Sequence, residues 1–286
     1  MIQISNGTLT AKISLKGAEL KSLQNSRGEE LMWSADPAFW GKTSPVLYPV
    51  IGTLKDDMYV FKNQEFKLPR HGFARDMEFF LIHHSESKSV FQLASNMETL
   101  EKFPFPFLLE IAYAIEGDEL IVLYTVKNSG SQEMYFSIGG HPAFAAPHLP
   151  GLHFNDYRLF FPHDEFLLRN KLENGLLSHT EEAVKLDTGF LQLDHQLFEE
   201  DAIVLRGLKS EWIGVHTPEG ELFRFHFSGF PHFGIWTASK APFICLEPWQ
   251  GHADFVDHDG DLRSKEGIVK LAPGGQWTRS WMVECF

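Results

Sequence analysis

Phe136-Ser137-Ile138-Gly139-Gly140-His141-Pro142-Ala143-Phe144 sets two glycines and a proline around one histidine, inside an apolar and aromatic run. It reads as a strand running into a pocket. The glycines let other groups approach the backbone closely, and Pro142 biases His141 toward an extended conformation while freezing the exit from the strand. Such an arrangement aims an imidazole. Three other stretches look built to meet it: Pro45-Val46-Leu47-Tyr48-Pro49-Val50-Ile51-Gly52, then His71-Gly72-Phe73-Ala74-Arg75, and Leu246-Glu247-Pro248-Trp249-Gln250-Gly251.

Outward from this stretch the chain reads as strand after strand. Ile2, Ile4, Leu9, Ala11, Ile13 and Leu15 alternate with Gln3, Thr10, Lys12 and Ser14 around an Asn6-Gly7 turn, so the chain opens with a hairpin. A second hairpin turns at Lys62-Asn63-Gln64 and a third at Gly117-Asp118. Further strands are expected at 77–83, 89–95, 107–116, 119–128 and 133–138, and again at 202–206, 212–216, 222–227, 233–237, 243–246 and 276–284. Only Met97 to Phe103 has a helical pattern, and residues 145–200 are less regular, with loops at 148–151 and 170–175. With no repeat of 20 to 50 residues and no linker-like tract, the expectation is one all-β domain over 1–286, a large antiparallel β-sandwich with few short helices.

Composition narrows the function classes. The formal charge is −13, from 38 acidic and 25 basic residues, and no basic patch offsets it, which argues against nucleic acid and anionic lipid as partners. The N-terminus lacks a basic region followed by an apolar stretch, and no window approaches a membrane span. Cys245 and Cys285 belong to no metal-spaced or redox pair, so a reducing, cytoplasmic compartment is expected, with a disulfide left open. The 26 Phe, 7 Trp and 6 Tyr can fill a sandwich core and still line a concave pocket for a small molecule.

Fourteen histidines raise the question of a metal, but no His-x-x-x-His pair or Cys/His cluster appears, and no metal or cofactor is expected. Gly-x-Ser-x-Gly elbows, phosphate-cradling loops and dinucleotide fingerprints are likewise absent. What remains is histidine plus carboxylate. Glu247 ends the apolar run Pro242-Phe243-Ile244-Cys245-Leu246, where low dielectric would raise its basicity; the plainer reading is a strand-end glutamate bonded to a loop. His141 has a plain reading as a core histidine, His71 as a turn residue, Arg75 as an ion-pair partner, and Trp236 and Trp249 as packing.

In this order the segments Tyr48 to Gly52, Leu68 to Arg75, Phe136 to Phe144 and Ala241 to Trp249 resemble the aldose 1-epimerase (galactose mutarotase-like) family, in its lactose-operon-associated branch. The resemblance spans nearly the whole chain. It implies an antiparallel supersandwich with a sugar on its concave face, Glu247 as general base, His141 as general acid and His71 near the ring oxygen, with no cofactor. Galactose mutarotases carry an arginine where this chain has Thr53, with Lys55 two residues on, and Asp201 is the candidate for the aspartate that holds sugar hydroxyls. Hexose-6-phosphate epimerases share the His-Gly-Phe-Ala-Arg motif, so Arg75, with Arg70 or Lys55, would suit a phosphate or another anionic group. The implied partner is therefore a small sugar or sugar phosphate, and a homodimer is left open. A non-catalytic sugar-binding sandwich is the rival reading; a glycosidase would need a second carboxylate beside Glu247.

Overall fold

Strands form where the sequence alternates, and their registers put apolar residues side by side. A computed structural model describes residues 1–286. Phe107–Glu116 buries Phe107, Leu109, Ile111, Tyr113 and Ile115, and Glu119–Asn128 buries Leu120, Val122, Tyr124 and Val126. Across the hairpin Leu120 faces Ile115 and Tyr124 faces Ile111, so one face of the ribbon is continuous core. Gly117 turns the chain at φ 59°.

Repeated antiparallel pairing builds two large sheets. One has nine strands in the order Phe190–Gln192, Arg158–Phe160, Trp212–Thr217, Gly220–His226, Gln276–Cys285, Glu119–Asn128, Phe107–Glu116, Lys88–Ala94 and Phe80–His84. The other has eight. Its order is Leu176–Lys185, Phe166–Glu173, Ile203–Leu205, His232–Trp236, Phe243–Gln250, Ile138–Gly140 and Val46–Leu47, with Ala143–Ala145 also paired to Phe243–Gln250. Ile2–Ser5, Thr10–Ile13 and Leu20–Gln24 form a smaller third sheet. No helix is long and apolar enough to cross a membrane.

The large sheets meet through aromatic side chains. Phe144 packs on Phe223 at 4.6 Å between centroids and Phe233 on Phe227 at 4.3 Å, within a core cluster of 64 buried residues. Each such ring contributes about 1.5–3 kcal/mol by leaving water. One polar pair lies inside the core, where Trp281 Nε1 donates to the Tyr124 hydroxyl at 2.9 Å. Gly140 sits against that pair, where a Cβ would lie 2.9 Å from the Tyr124 hydroxyl and 3.0 Å from Trp281 Nε1. The nine-stranded sheet thus buttresses the residue immediately before His141.

Most expected strands form, and both Cys245 and Cys285 are buried free thiols. The expected loop at 170–175 is mostly strand: Phe166–Glu173 and Leu176–Lys185 make a long hairpin turning at Asn174-Gly175. Much of this hairpin is exposed, so the in–out alternation that marks half-buried strands is missing from its sequence. Besides the helix at Met97–Lys102, single 3₁₀ turns occur at Lys55–Asp57, Ala74–Asp76, Phe154–Asp156 and His195–Phe198.

At Gly139 the central strands leave no room for a side chain, since a Cβ there would lie 2.7 Å from both the Pro248 carbonyl oxygen and Trp249 Cδ1. Gly139→Ala is expected to lose about 1–3 kcal/mol of stability. Gly41→Ala, with open space around it, should stay within about 0.5 kcal/mol. Thermal unfolding of the two variants checks this, and equal midpoints would contradict the packing described.

Candidate active site

Strand Phe243–Gln250 is buried along seven of its eight residues and serves two masters by alternation. Ile244 and Leu246 enter the main core, while Cys245, Glu247 and Trp249 share the opposite face. Glycines flank them. Gly234 lies opposite Glu247 and Gly139 opposite Trp249, and a Cβ on Gly234 would overlap the Trp249 ring, so the indole can lie across the sheet only because both positions lack side chains. Glu247 ends up 2% exposed on the floor of a cavity of about 410 Å³, a size suited to one small organic molecule.

His141 leaves the strand Ile138–Gly140 beside this floor. Its own N–H is held by the Pro45 carbonyl at 3.1 Å, and Leu246 N–H donates to Pro142 O at 3.1 Å, which locks the exit to the central strand. His141 Nε2 stands 3.2 Å from Glu247 Oε2. Trp40 stacks on the imidazole at 4.8 Å, and Trp236 meets it edge-on at 5.7 Å. Trp33 Nε1 donates to the Trp40 carbonyl at 2.9 Å and fixes the loop that brings Trp40 over.

His71 is placed by backbone strain. It has φ +67°, followed by Gly72 at +68°, and a Cβ on Gly72 would run into the Tyr48 carbonyl. The ring then lies 5.8 Å from that of His141, nearly perpendicular to it. Gly52 N–H donates to His71 Nδ1 at 3.1 Å. A neutral ring accepting at Nδ1 carries its proton on Nε2, so Arg70 Nε, 3.2 Å from Nε2, has no lone pair to bond there. The buried backbone bond prevails over the exposed guanidinium, which leaves His71 Nε2–H and Arg70 both free to meet a ligand.

The Gly52 segment is itself clamped. Asp254 N–H donates to Thr53 O at 3.0 Å, Lys55 N–H donates to Asp254 Oδ2 at 2.9 Å, and Lys265 Nζ reaches Asp254 Oδ1 at 2.5 Å. Lys265 and Asp254 are 4% and 2% exposed. This buried ion pair stands behind the donor that sets the His71 tautomer.

Burial dominates the electrostatics. It pushes the Glu247 carboxyl well above the ordinary carboxylate range, an effect that Arg70 opposes and Asp201 reinforces. It pushes His141 down to about 3, helped by Arg70 and Arg75. His71 is held well below its ordinary value by burial, then by His141 and the two arginines. Burial thus favours a neutral carboxyl beside a neutral imidazole. The carboxyl proton can pass to the imidazole without changing the charge of the pair.

Of the residues expected from sequence, Arg70, His71, Arg75, His141, Trp236, Glu247, Trp249 and Asp201 all line the cavity. Lys55 does not; its Nζ donates to the His258 carbonyl at 3.2 Å. Sequence reasoning missed Trp40, and also the wall made by Leu172, Gly175 and Leu177 of the long hairpin. Trp40 sat in a segment readable only as a loop. It also missed that His141, Cys245 and Glu247 bring three donor atoms within 4.8 Å, because the ligands come from two strands about a hundred residues apart.

Two stability tests follow from these groups. With its folded value raised, Glu247 contributes stability that is full below the unfolded value of about 4.3 and is lost as pH rises through the folded value. Glu247→Gln should thus melt above the parent protein at pH about 8, with the gap closing near pH 4; a constant gap would contradict a raised value. Asp254→Asn strands Lys265 and should cost about 3 kcal/mol in denaturant unfolding, partly restored by adding Lys265→Met.

A family model described as aldose 1-epimerase matches residues 1–278. Protein LacX of Lactococcus lactis, in its plasmid and chromosomal forms, is 32% identical over 283 residues, 95% of each chain. The structure of a galactose mutarotase related enzyme from Lactobacillus acidophilus superposes with a TM-score of 0.94 at 30% identity, covering 100% of this chain and 97% of that one. A galactose mutarotase-like protein from Lactobacillus casei gives 0.91 at 31%, covering both chains fully. These matches, over a sandwich with His141 and Glu247 buried side by side, show that the chain belongs to the aldose 1-epimerase family.

Proposed function

We propose that this single-domain sandwich is a cofactor-free aldose 1-epimerase that interconverts the anomers of an aldose or an aldose carrying an anionic group. The observation that supports it most is the 3.2 Å approach of His141 Nε2 and Glu247 Oε2 at the cavity floor. The anomeric hydroxyl and the ring oxygen are bonded to one carbon, so an acid and a base must stand side by side to act on both. Glu247 takes the proton of the anomeric hydroxyl as His141 delivers the proton received from Glu247 to the ring oxygen, and the C1–O bond breaks to leave an open-chain aldehyde. Rotation about C1–C2 and reclosure, with the two groups exchanging roles, gives the other anomer and restores the pair. Each group contributes about 10²- to 10⁴-fold.

His71, with its proton on Nε2, donates to the substrate near the ring oxygen, while Trp249 and Trp236 offer apolar walls to the sugar. Arg70 and Arg75 favour an anionic substituent. Arg75 Nε is buried without a partner, and its Nη2 donates to the Arg70 carbonyl at 2.8 Å. Asp76, its only carboxylate neighbour, lies 3.7 Å away. Two unpaired thiols suit a reducing compartment such as the cytoplasm.

Freshly dissolved α-D-glucose, α-D-galactose and glucose-6-phosphate, followed by proton NMR, test the reading. Anomer exchange should exceed the spontaneous rate and fall about 10²- to 10⁴-fold in Glu247→Gln with sugar affinity within a few fold. Arg75→Ala should raise KM about tenfold for the phosphorylated sugar and little for the neutral ones. Saturable shift changes without exchange in any of the three would instead favour a non-catalytic sugar-binding module.

A further inference from the structure

Cys245, Glu247 and His141 offer a thiol sulfur, a carboxylate oxygen and an imidazole nitrogen, all buried and all within 4.8 Å of one another. Alternation puts Cys245 and Glu247 on one face of their strand, and the exit from Gly140 sets His141 across from them. Cys245 is a free thiol, and Glu247 Oε2, on a residue 2% exposed, makes no hydrogen bond, its 3.2 Å contact with His141 Nε2 falling outside hydrogen-bond geometry. An unpartnered buried carboxylate oxygen is costly, and a bound cation would remove that cost.

The donor set selects the cation. A thiolate with an imidazole and one carboxylate suits Zn²⁺, whereas Mg²⁺ and Ca²⁺ call for oxygen donors alone. Zn–S of about 2.3 Å and Zn–N or Zn–O of about 2.0–2.2 Å put tetrahedral ligands about 3.5 Å apart. His141 Nε2 and Glu247 Oε2, 3.2 Å apart, already meet that spacing, and no two of the three donor atoms lie more than 4.8 Å apart. Because His141 and Glu247 line the cavity, the fourth position opens to water or to a sugar oxygen.

We propose that His141, Cys245 and Glu247 form a Zn²⁺ site superimposed on the acid/base pair, so that Zn²⁺ and ring opening exclude each other. Binding converts the thiol to a thiolate, with its proton released to solvent. The ion then occupies the lone pairs that would move the sugar's protons. The binding half of this inference stands on the three donors alone, and only the inhibitory half rests on the epimerase reading.

Cd²⁺, a spectroscopic stand-in for Zn²⁺, is titrated into chelator-treated protein and the ultraviolet sulfur-to-Cd²⁺ charge-transfer band is followed, with Zn²⁺ added in competition. One equivalent should saturate the band, Zn²⁺ should abolish it, Cys245→Ser should lack it, and Cys285→Ser should keep it. Metal-free Cys245→Ser should retain its anomer exchange while needing at least about tenfold more Zn²⁺ for inhibition, as befits the loss of one ligand. No band in the parent protein, or a band surviving in Cys245→Ser, overturns the site. A band without any anomer exchange leaves the site standing and removes the epimerase reading. If Cys245→Ser fails to fold, Cys245→Ala gives the same comparison.

Discussion

A carboxyl group held in a dry floor beside an imidazole governs the rest of the molecule. Glu247 is surrounded by buried neighbours along its own strand and by Trp249 on the same face, so its charged form is disfavoured. His141 sits in the same dry environment under Trp40 and is disfavoured as a cation. Separately each would be a costly buried polar group. Together, at 3.2 Å, they can pass one proton between them without creating net charge, which is the condition for acting as acid and base at once.

Keeping that pair in register demands rigidity from layers well outside the cavity. Gly140 rests on the Trp281–Tyr124 hydrogen bond of the opposite sheet, and Gly139 and Gly234 yield the space that Trp249 fills. Glu19, 9% exposed, accepts the N–H groups of Thr43 and Ser44 at 2.6 and 3.0 Å and fixes the segment whose Pro45 and Thr43 carbonyls bond to His141 and Ala143. On the other wall, the Asp254–Lys265 pair steadies Gly52, and Gly52 sets the tautomer of His71. Stability and the geometry of the pair are thus carried by the same contacts.

How far the sequence disclosed this depends on where each signal was local. The hairpins turning at Asn6-Gly7, Lys62-Asn63 and Gly117-Asp118 were readable because alternation and turn residues lie within a dozen positions. The candidate site residues were readable through short segments in a distinctive order, supported by glycine and proline chemistry around His141. Trp40, Leu172 and Leu177 reach the cavity only through tertiary placement, and no local pattern marks them. Lys55 stood two residues from Thr53, but Asp254 grips its backbone and the side chain turns to His258. The Cys245 thiol was dismissed on sequence spacing, a criterion blind to a partner delivered from another strand.

The cavity also carries an asymmetry of charge that bears on what it receives. Arg70 and Arg75 stand on the side of His71, whereas Asp201 lies on a wall whose charge reinforces the protonated form of Glu247. A ligand with a hydroxylated ring and an anionic end would satisfy both sides. The claim beneath all of this is that Glu247 keeps its carboxyl proton beside a neutral His141 at neutral pH, or passes it to that imidazole. Selective ¹³C labelling of the glutamate carboxyls and ¹⁵N labelling of the histidines, with Glu247→Gln and His141→Gln for assignment, would count it directly by NMR. That proton on either group at pH about 7 is the expected result; an ionised Glu247 beside a neutral His141 would contradict the account.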